Sequence, residues 1–127
     1  MTGLARNSFV HVAIAVLAMG SWAVFANRAH PMPQPLAAGV VQGALSGAIT
    51  FVLKRLLEVL AARFSGMAAL VLPPLIAISL SLFILTAIHT LAGTPEVLAT
   101  IALPTSVTAI YSFLYTLALF HSRRTEP

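Results

Sequence analysis

The chain has 127 residues, of which 59% are hydrophobic and only 8% are charged, and its formal net charge is +4. Soluble domains carry about 25% charged residues, so this composition argues against a water-soluble enzyme, a disordered chain and a nucleic-acid-binding domain. The mean hydropathy of +0.97 instead indicates a single integral-membrane domain that covers residues 1–127.

The positions of the charged residues predict the membrane spans. Four long runs contain no Lys, Arg, Asp or Glu: residues 7–27, 29–53, 64–95 and 97–122. A bilayer core about 30 Å thick is crossed by roughly 20 helical residues, and a backbone in lipid must satisfy its own hydrogen bonds. The sequence therefore predicts an all-α membrane protein, an up-down bundle of four transmembrane helices. The expected spans are 9–26, 36–53, 72–91 and 97–120, with a cytoplasmic helical extension and loop over 54–71.

The basic residues predict the orientation of this bundle. With four spans, both termini and the middle loop lie on one side of the membrane. That side holds Arg6, Lys54, Arg55, Arg63, Arg123 and Arg124, and the other side holds Arg28. The positive-inside rule then places both termini in the cytoplasm, in the cell inner (plasma) membrane. An alternative interpretation makes the first span a cleaved signal peptide, with Val24 and Ala26 at the small-residue positions.

The connections contain several helix signals. Asn27 and Gly93 are expected to end the first and third helices, and Thr94 is a good N-cap for the fourth. Pro73-Pro74 predicts the start of the third helix, with a kinked entry as the alternative.

The second span carries glycines at every fourth position, Gly39, Gly43 and Gly47. They share one helix face and allow another helix to approach closely, which favours helix association in lipid. This glycine face is predicted to pack against another helix, either within the chain or between protomers.

Polar side chains follow the second, third and fourth spans at helical spacing, and they offer a polar groove as an alternative to plain packing. These residues are Gln42, Ser46, Thr50, Ser79, Thr86, Thr90, Thr105, Thr108, Ser112 and Thr116. Lys54 and Arg55 follow the second span, where a cationic side chain can meet a lipid phosphate.

No sequence feature indicates catalysis. The middle of every span lacks Asp, Glu, Lys and Arg, and there is no metalloprotease, nucleophile-elbow or phosphate-loop motif. The chain has no cysteine, and its four histidines fall on both sides of the predicted membrane, so no single metal site can use them all: His11, His30, His89 and His121. We therefore expect no enzyme activity, no cofactor and no metal.

Two families share this outline. The small multidrug resistance transporters are similar in size, but their function depends on a glutamate in the first span, and this first span has none. The chain also resembles the GtrA-like proteins in size, topology and basic termini. Phe25-Ala26-Asn27-Arg28 is similar to their Asn/Arg-containing helix end, although here it follows the first span and the accompanying aromatic motif is missing. That resemblance implies a role in moving polyprenyl-linked sugars.

These features favour an accessory or structural membrane subunit that associates through the glycine face. The expected partners are the lipid bilayer and either a second copy or another membrane protein, and not nucleic acid. The alternative is a carrier or flippase-like subunit for a lipid or small polar molecule. An oligomeric pore is the third possibility, because one chain of four helices has to oligomerise to enclose a wet channel.

Overall fold

The computed structural model describes residues 3–125, with side chains from Asn7 onward, as four helices. The helices are α1 (Gly3–Ala26), α2 (Gln34–Arg63), α3 (Met67–Leu91) and α4 (Val97–Thr125). Each is long and apolar enough to cross a membrane, and residues 3–125 contain no strand. This result supports a multi-pass membrane protein, as the charge spacing predicts. The side chain of Arg6, counted above for orientation, lies outside the described residues.

The side chains are distributed as expected for a protein surrounded by lipid. Many large apolar residues face outward, and Phe51 and Leu98 are 73% and 82% exposed. Many of the buried side chains are polar: Asn27, Gln42, Ser46, Ser81, His89, Thr100, Thr108, Ser112 and Thr116. A soluble fold buries its large apolar side chains, whereas lipid provides no hydrophobic gain for doing so, and small or polar groups mediate helix contacts instead.

The helix ends largely follow the local signals. Asn27 comes directly after the last residue of α1. Gly93 follows α3 with a φ of +78°, and its N–H donates to the Thr90 carbonyl while the Thr94 N–H donates to the His89 carbonyl. This pair of bonds is the Schellman motif, which a glycine in the left-handed region permits. The prediction that Gly93 ends the third helix is confirmed.

The start of α3 differs from the prediction. The helix begins at Met67, so Pro73 and Pro74 lie inside it, and both are buried. Helix therefore also replaces part of the expected loop over 54–71. Gly66 precedes the helix with a φ of +61°, so the turn that separates α2 from α3 lies at this glycine rather than at the prolines. Prolines are tolerated inside membrane helices because packed neighbours and local adjustments compensate for the missing N–H groups.

Helices α2 and α4 each contact the other three helices. Helix α1 contacts α2 and α4, and among the described residues it makes no contact with α3. We call the end that contains connections 27–33 and 92–96 the Asn27 end. We call the opposite end, where the carbonyl of Ala61 accepts a hydrogen bond from Arg123, the Lys54 end.

Candidate functional site

The glycine face of α2 is covered by α1 of the same chain. A Cβ atom added at Gly43 would lie 3.2 Å from the Val16 carbonyl oxygen, and one added at Gly47 would lie 2.8 Å from a Val16 methyl group. A Cβ at Gly39 would approach the Gly20 carbonyl oxygen to 3.1 Å. Close packing by this face is therefore used within the chain. Association with a second chain through the same face would require α1 to leave it.

Asn27 joins α1 to the start of α4 at the Asn27 end. Its side-chain amide donates to the Ala23 carbonyl oxygen at 2.8 Å and to the Thr100 hydroxyl at 2.7 Å. Its side-chain oxygen accepts the backbone N–H of Glu96 at 3.0 Å. The first N–H groups of a helix have no partner within the helix, so Asn27 caps α4 from a distant part of the chain. The prediction that Thr94 supplies this cap is wrong.

Two further contacts close the Asn27 end. The indole N–H of Trp22 donates to the Ala99 carbonyl oxygen at 2.9 Å. His30 Nε2 lies 2.7 Å from a carboxylate oxygen of Glu96. Glu96 thus binds a side chain of the α1–α2 connection, in addition to its place beside the positive end of the α4 dipole. We call the contacts of Trp22, Asn27 and His30 with α4 and Glu96 the α1–α4 clamp.

A second polar chain runs through the interior between α2 and α3. Gln42 donates its amide to the Ser46 hydroxyl at 2.7 Å, and its side-chain oxygen lies 2.8 Å from His89 Nε2. Because an amide oxygen only accepts, Nε2 carries the proton and Nδ1 accepts from the Thr94 hydroxyl at 2.8 Å. His89 is fully buried, so it is an internal hydrogen-bonding residue.

The structure brings only part of the predicted polar groove together. Ser79, Thr86 and Thr90 of α3 are exposed on its outer side, whereas Ser81 and His89 are its buried polar residues. Their spacing of eight residues, with the buried Leu85 halfway between them, is the sequence signal that identifies the inner face.

The predicted polar residues of α2 and α4 lie inward. Gln42, Ser46, Thr108, Ser112 and Thr116 are buried, and Thr50 and Thr105 are half-buried. The hydroxyls of Thr105, Ser112 and Thr116 have no hydrogen-bond partner among residues 7–125. Small hydroxyl side chains at such positions allow helices to pack closely, which accounts for this stripe without a ligand.

A cleft of about 470 Å³ lies between α1, α2 and α4. Its walls are mostly apolar, and Ile14 of α1 and Val107 of α4 border it while remaining 58% and 47% exposed. The cleft is therefore open sideways, between two helices that meet mainly at the α1–α4 clamp. Three residues of the predicted groove line it: Ser46, Thr50 and Thr108.

Polar groups concentrate toward the Lys54 end of this cleft, where Ser8, His11, Lys54 and Tyr111 contribute to its lining. Along α1 the lining extends from Ser8 to Met19, which is roughly 16 Å at 1.5 Å per residue. The bilayer core is about 30 Å thick, so the cleft is about as long as one leaflet is deep.

Lys54 and Arg55, the two predicted phosphate contacts, have different surroundings. Lys54 lines the cleft, and its ammonium lies 6.0 Å from the centre of the Tyr115 ring. Arg55 is absent from the lining, its side chain is 81% exposed, and it lies 3.9 Å from Glu58. Glu58 in turn accepts a 2.7 Å hydrogen bond from the Tyr115 hydroxyl. The structure therefore places only Lys54 at the cleft.

Comparison of the chain with protein families, with proteins of curated function and with solved structures found no match.

Proposed function

We propose that this protein binds a lipid-like amphiphile in the cleft between α1 and α4 and acts as a carrier or flippase-like subunit in the inner membrane. The cleft carries this proposal. A volume of about 470 Å³ falls within the range of roughly 300–1,000 Å³ typical of small-molecule sites, which are mostly apolar with a few polar groups.

The sideways opening favours a ligand that arrives through the membrane. A water-soluble ligand reaches a site from one of the aqueous faces, whereas a lipid enters between helices at the level of its own tails. Apolar side chains of α1 and α4 border the opening, and lipid tails contact such surfaces without losing hydrogen bonds. A membrane lipid is therefore the ligand class that fits best.

The closed Asn27 end and the open Lys54 end suggest one state of a carrier. A ligand in the cleft reaches from the Lys54 end to about the bilayer centre, and the α1–α4 clamp blocks the rest of the path. We propose that the Lys54 end faces the cytoplasm, with both termini inside. Five of the six lysine and arginine side chains that the structure describes belong to the second half of α2 or to the end of α4: Lys54, Arg55, Arg63, Arg123 and Arg124.

Lipid retention by a variant with a filled cleft tests this proposal. Ala15 lines the cleft and Ala48 is exposed outside it, so Ala15→Phe and Ala48→Phe make the same change inside and outside the site. After reconstitution and gentle extraction, Ala15→Phe should lose most of the co-purifying lipid, whereas Ala48→Phe should retain it. Equal retention by the two variants would contradict binding in the cleft.

Transport is tested with a fluorescent phospholipid in proteoliposomes. We expect the unmodified protein to move label between leaflets faster than protein-free vesicles, and Ala15→Phe to remove that increase. Lipid binding without any increase in flux would limit the function to a lipid-binding subunit.

A second candidate, an accessory subunit, is favoured by the outer side of α3. Ser79, Thr86 and Thr90 are exposed there, and hydroxyl side chains that face lipid are able to bond across to another helix. The chain has no cysteine, so a single Thr86→Cys provides a unique cross-linking point. Oxidised membranes should then contain a cross-linked species, and Ala44→Cys on the exposed side of α2 should give none. A monomer from both variants would exclude contact through α3.

A further inference from the structure

We infer that the ligand of the cleft is an anionic phospholipid of the leaflet at the Lys54 end, with its phosphate bound by Lys54 and an acyl chain along the cleft. This inference rests on the proposed function and adds the headgroup, the leaflet and the residue that recognises the charge.

Lys54 has no acidic partner among the described residues. The ion pairs among the described residues are His30 with Glu96 and Arg55 with Glu58, and neither includes Lys54. The nearest acidic residue along α2, Glu58, is bound by Arg55 and by the hydroxyl of Tyr115. A cation beside an apolar cleft without an acidic partner is complementary to an anionic ligand, and lysine binds phosphate as a point charge.

Several hydrogen-bond donors share the Lys54 end of the cleft with the ammonium of Lys54. Ser8, His11 and Tyr111 line it together with Lys54, and all three offer hydrogen-bond donors. The phosphate of a phospholipid presents only acceptors, so each of these donors matches it. No acidic side chain of the described residues lines the cleft. The lining therefore offers donors to the phosphate and no acidic partner to a cationic group, which favours a phospholipid whose headgroup has a net negative charge.

The length of the cleft matches the depth of one leaflet. The lining covers roughly 16 Å along α1 from Ser8, which is the depth of one leaflet of a core about 30 Å thick. A phosphate at Lys54 then lies at the membrane surface, and the acyl chain that follows ends near Met19 and Pro104, where the lining ends. A lipid of the opposite leaflet would place its headgroup at the α1–α4 clamp, which is closed.

The test compares Lys54→Gln with Arg55→Gln, which remove one positive charge from adjacent residues. Each protein is reconstituted in vesicles of equal parts phosphatidylglycerol and phosphatidylcholine with identical acyl chains. The lipid that co-purifies after gentle extraction is then quantified by mass spectrometry. Lys54→Gln should lower the ratio of retained phosphatidylglycerol to phosphatidylcholine about fivefold, the effect of one cationic side chain near an anionic headgroup. Arg55→Gln should leave the ratio unchanged.

Two further variants at the same position sharpen the result. Lys54→Arg keeps the charge and should keep the preference, and Lys54→Glu should lower the ratio further than Lys54→Gln. An equal fall in the Lys54→Gln and Arg55→Gln variants would overturn the inference, because it would reflect general attraction of a basic surface to anionic lipid. An unchanged ratio in every Lys54 variant would also overturn it.

Ala15→Phe separates this inference from the proposed function. If Ala15→Phe loses both lipids while the Lys54 variants keep the ratio of phosphatidylglycerol to phosphatidylcholine, the cleft binds lipid without selecting for headgroup charge. Only the headgroup assignment then fails. If Ala15→Phe retains as much lipid as the unmodified protein, the proposed function fails and the headgroup inference fails with it.

Discussion

The two ends of the bundle hold α1 against α4 in opposite ways. At the Asn27 end, Asn27 and Trp22 bond directly to α4. Toward the Lys54 end, the two helices form opposite walls of an open cleft. The same pair of helices is thus joined by hydrogen bonds over one stretch and separated over another. A polar contact between membrane helices fixes one point of contact, and the shape of the remaining surfaces decides what lies between them.

Gly43→Ile should have the largest effect on stability, because the added side chain pushes α1 away from α2 where the two backbones are closest. Even a Cβ at this position would lie 3.2 Å from the backbone oxygen of Val16, and backbone atoms have no rotamer with which to move aside. Overpacking of this kind costs about 1–3 kcal/mol. Unfolding in SDS followed by circular dichroism measures the loss. Ala44→Ile, at the next and exposed position, should be close to neutral, and similar stability of both variants would refute close α1–α2 packing.

Asn27→Ala should weaken the α1–α4 clamp without affecting the Lys54 end. The variant loses bonds to the Ala23 oxygen, the Thr100 hydroxyl and the Glu96 N–H. Loss of a helix cap costs about 0.5–2 kcal/mol. Amide hydrogen exchange should accelerate at Glu96 and Val97 and stay unchanged near Lys54. Arg28→Ala, which removes an exposed bond to the Phe25 oxygen and the stacking of the guanidinium on the Phe25 ring, is the control, and an equal effect of both changes would count against the clamp.

The Gln42–His89 bond tests whether the interior between α2 and α3 is independent of the clamp. A double-mutant cycle of Gln42→Leu and His89→Leu should give a coupling free energy of about 0.6–1.7 kcal/mol, as for other hydrogen bonds inside membrane proteins. A parallel cycle of Gln42→Leu with Asn27→Ala should give additive effects, because these residues share no hydrogen-bond partner. Zero coupling in the first cycle would show that the bond is not formed in the membrane.

Glu96→Gln should have the smallest effect. The His30 and Glu96 side chains are 32% and 48% exposed, and ion pairs accessible to water contribute about 0–1 kcal/mol. The Asn27 cap on the Glu96 backbone is unaffected by the substitution. SDS unfolding at low and high salt measures the difference, which should shrink as salt rises. A large difference that is insensitive to salt would show that the carboxylate has a structural role inside the bundle.

The sequence was sufficient to predict the number of helices, because a membrane helix is a local property of charge and length. The end of α3 was also predictable, since Gly93 stops a helix through its own backbone. The start of α3 was not, because proline signals usually mark helix ends in water, and inside membranes buried prolines such as Pro73 continue within the helix.

The candidate site depended on information that a single sequence does not contain. The glycine spacing of α2 predicted a close helix contact, but only the fold identifies α1 as the partner. The α3 residues predicted for the groove, Ser79, Thr86 and Thr90, lie on the outer side of the helix. The sequence does not distinguish the two sides, because these three residues share one face as regularly as Ser81 and His89 share the other. The cleft lies between α1 and α4, which are separated by about 70 residues of chain, and no local pattern in the sequence encodes how two such distant helices pack.

The indole of Trp22, bonded to the Ala99 carbonyl, belongs to the only tryptophan in the chain. Its emission wavelength and its accessibility to a collisional quencher therefore report on a single position, at the junction between α1 and α4. Without any added label, steady-state fluorescence follows the parting of these two helices while lipids are titrated into the protein.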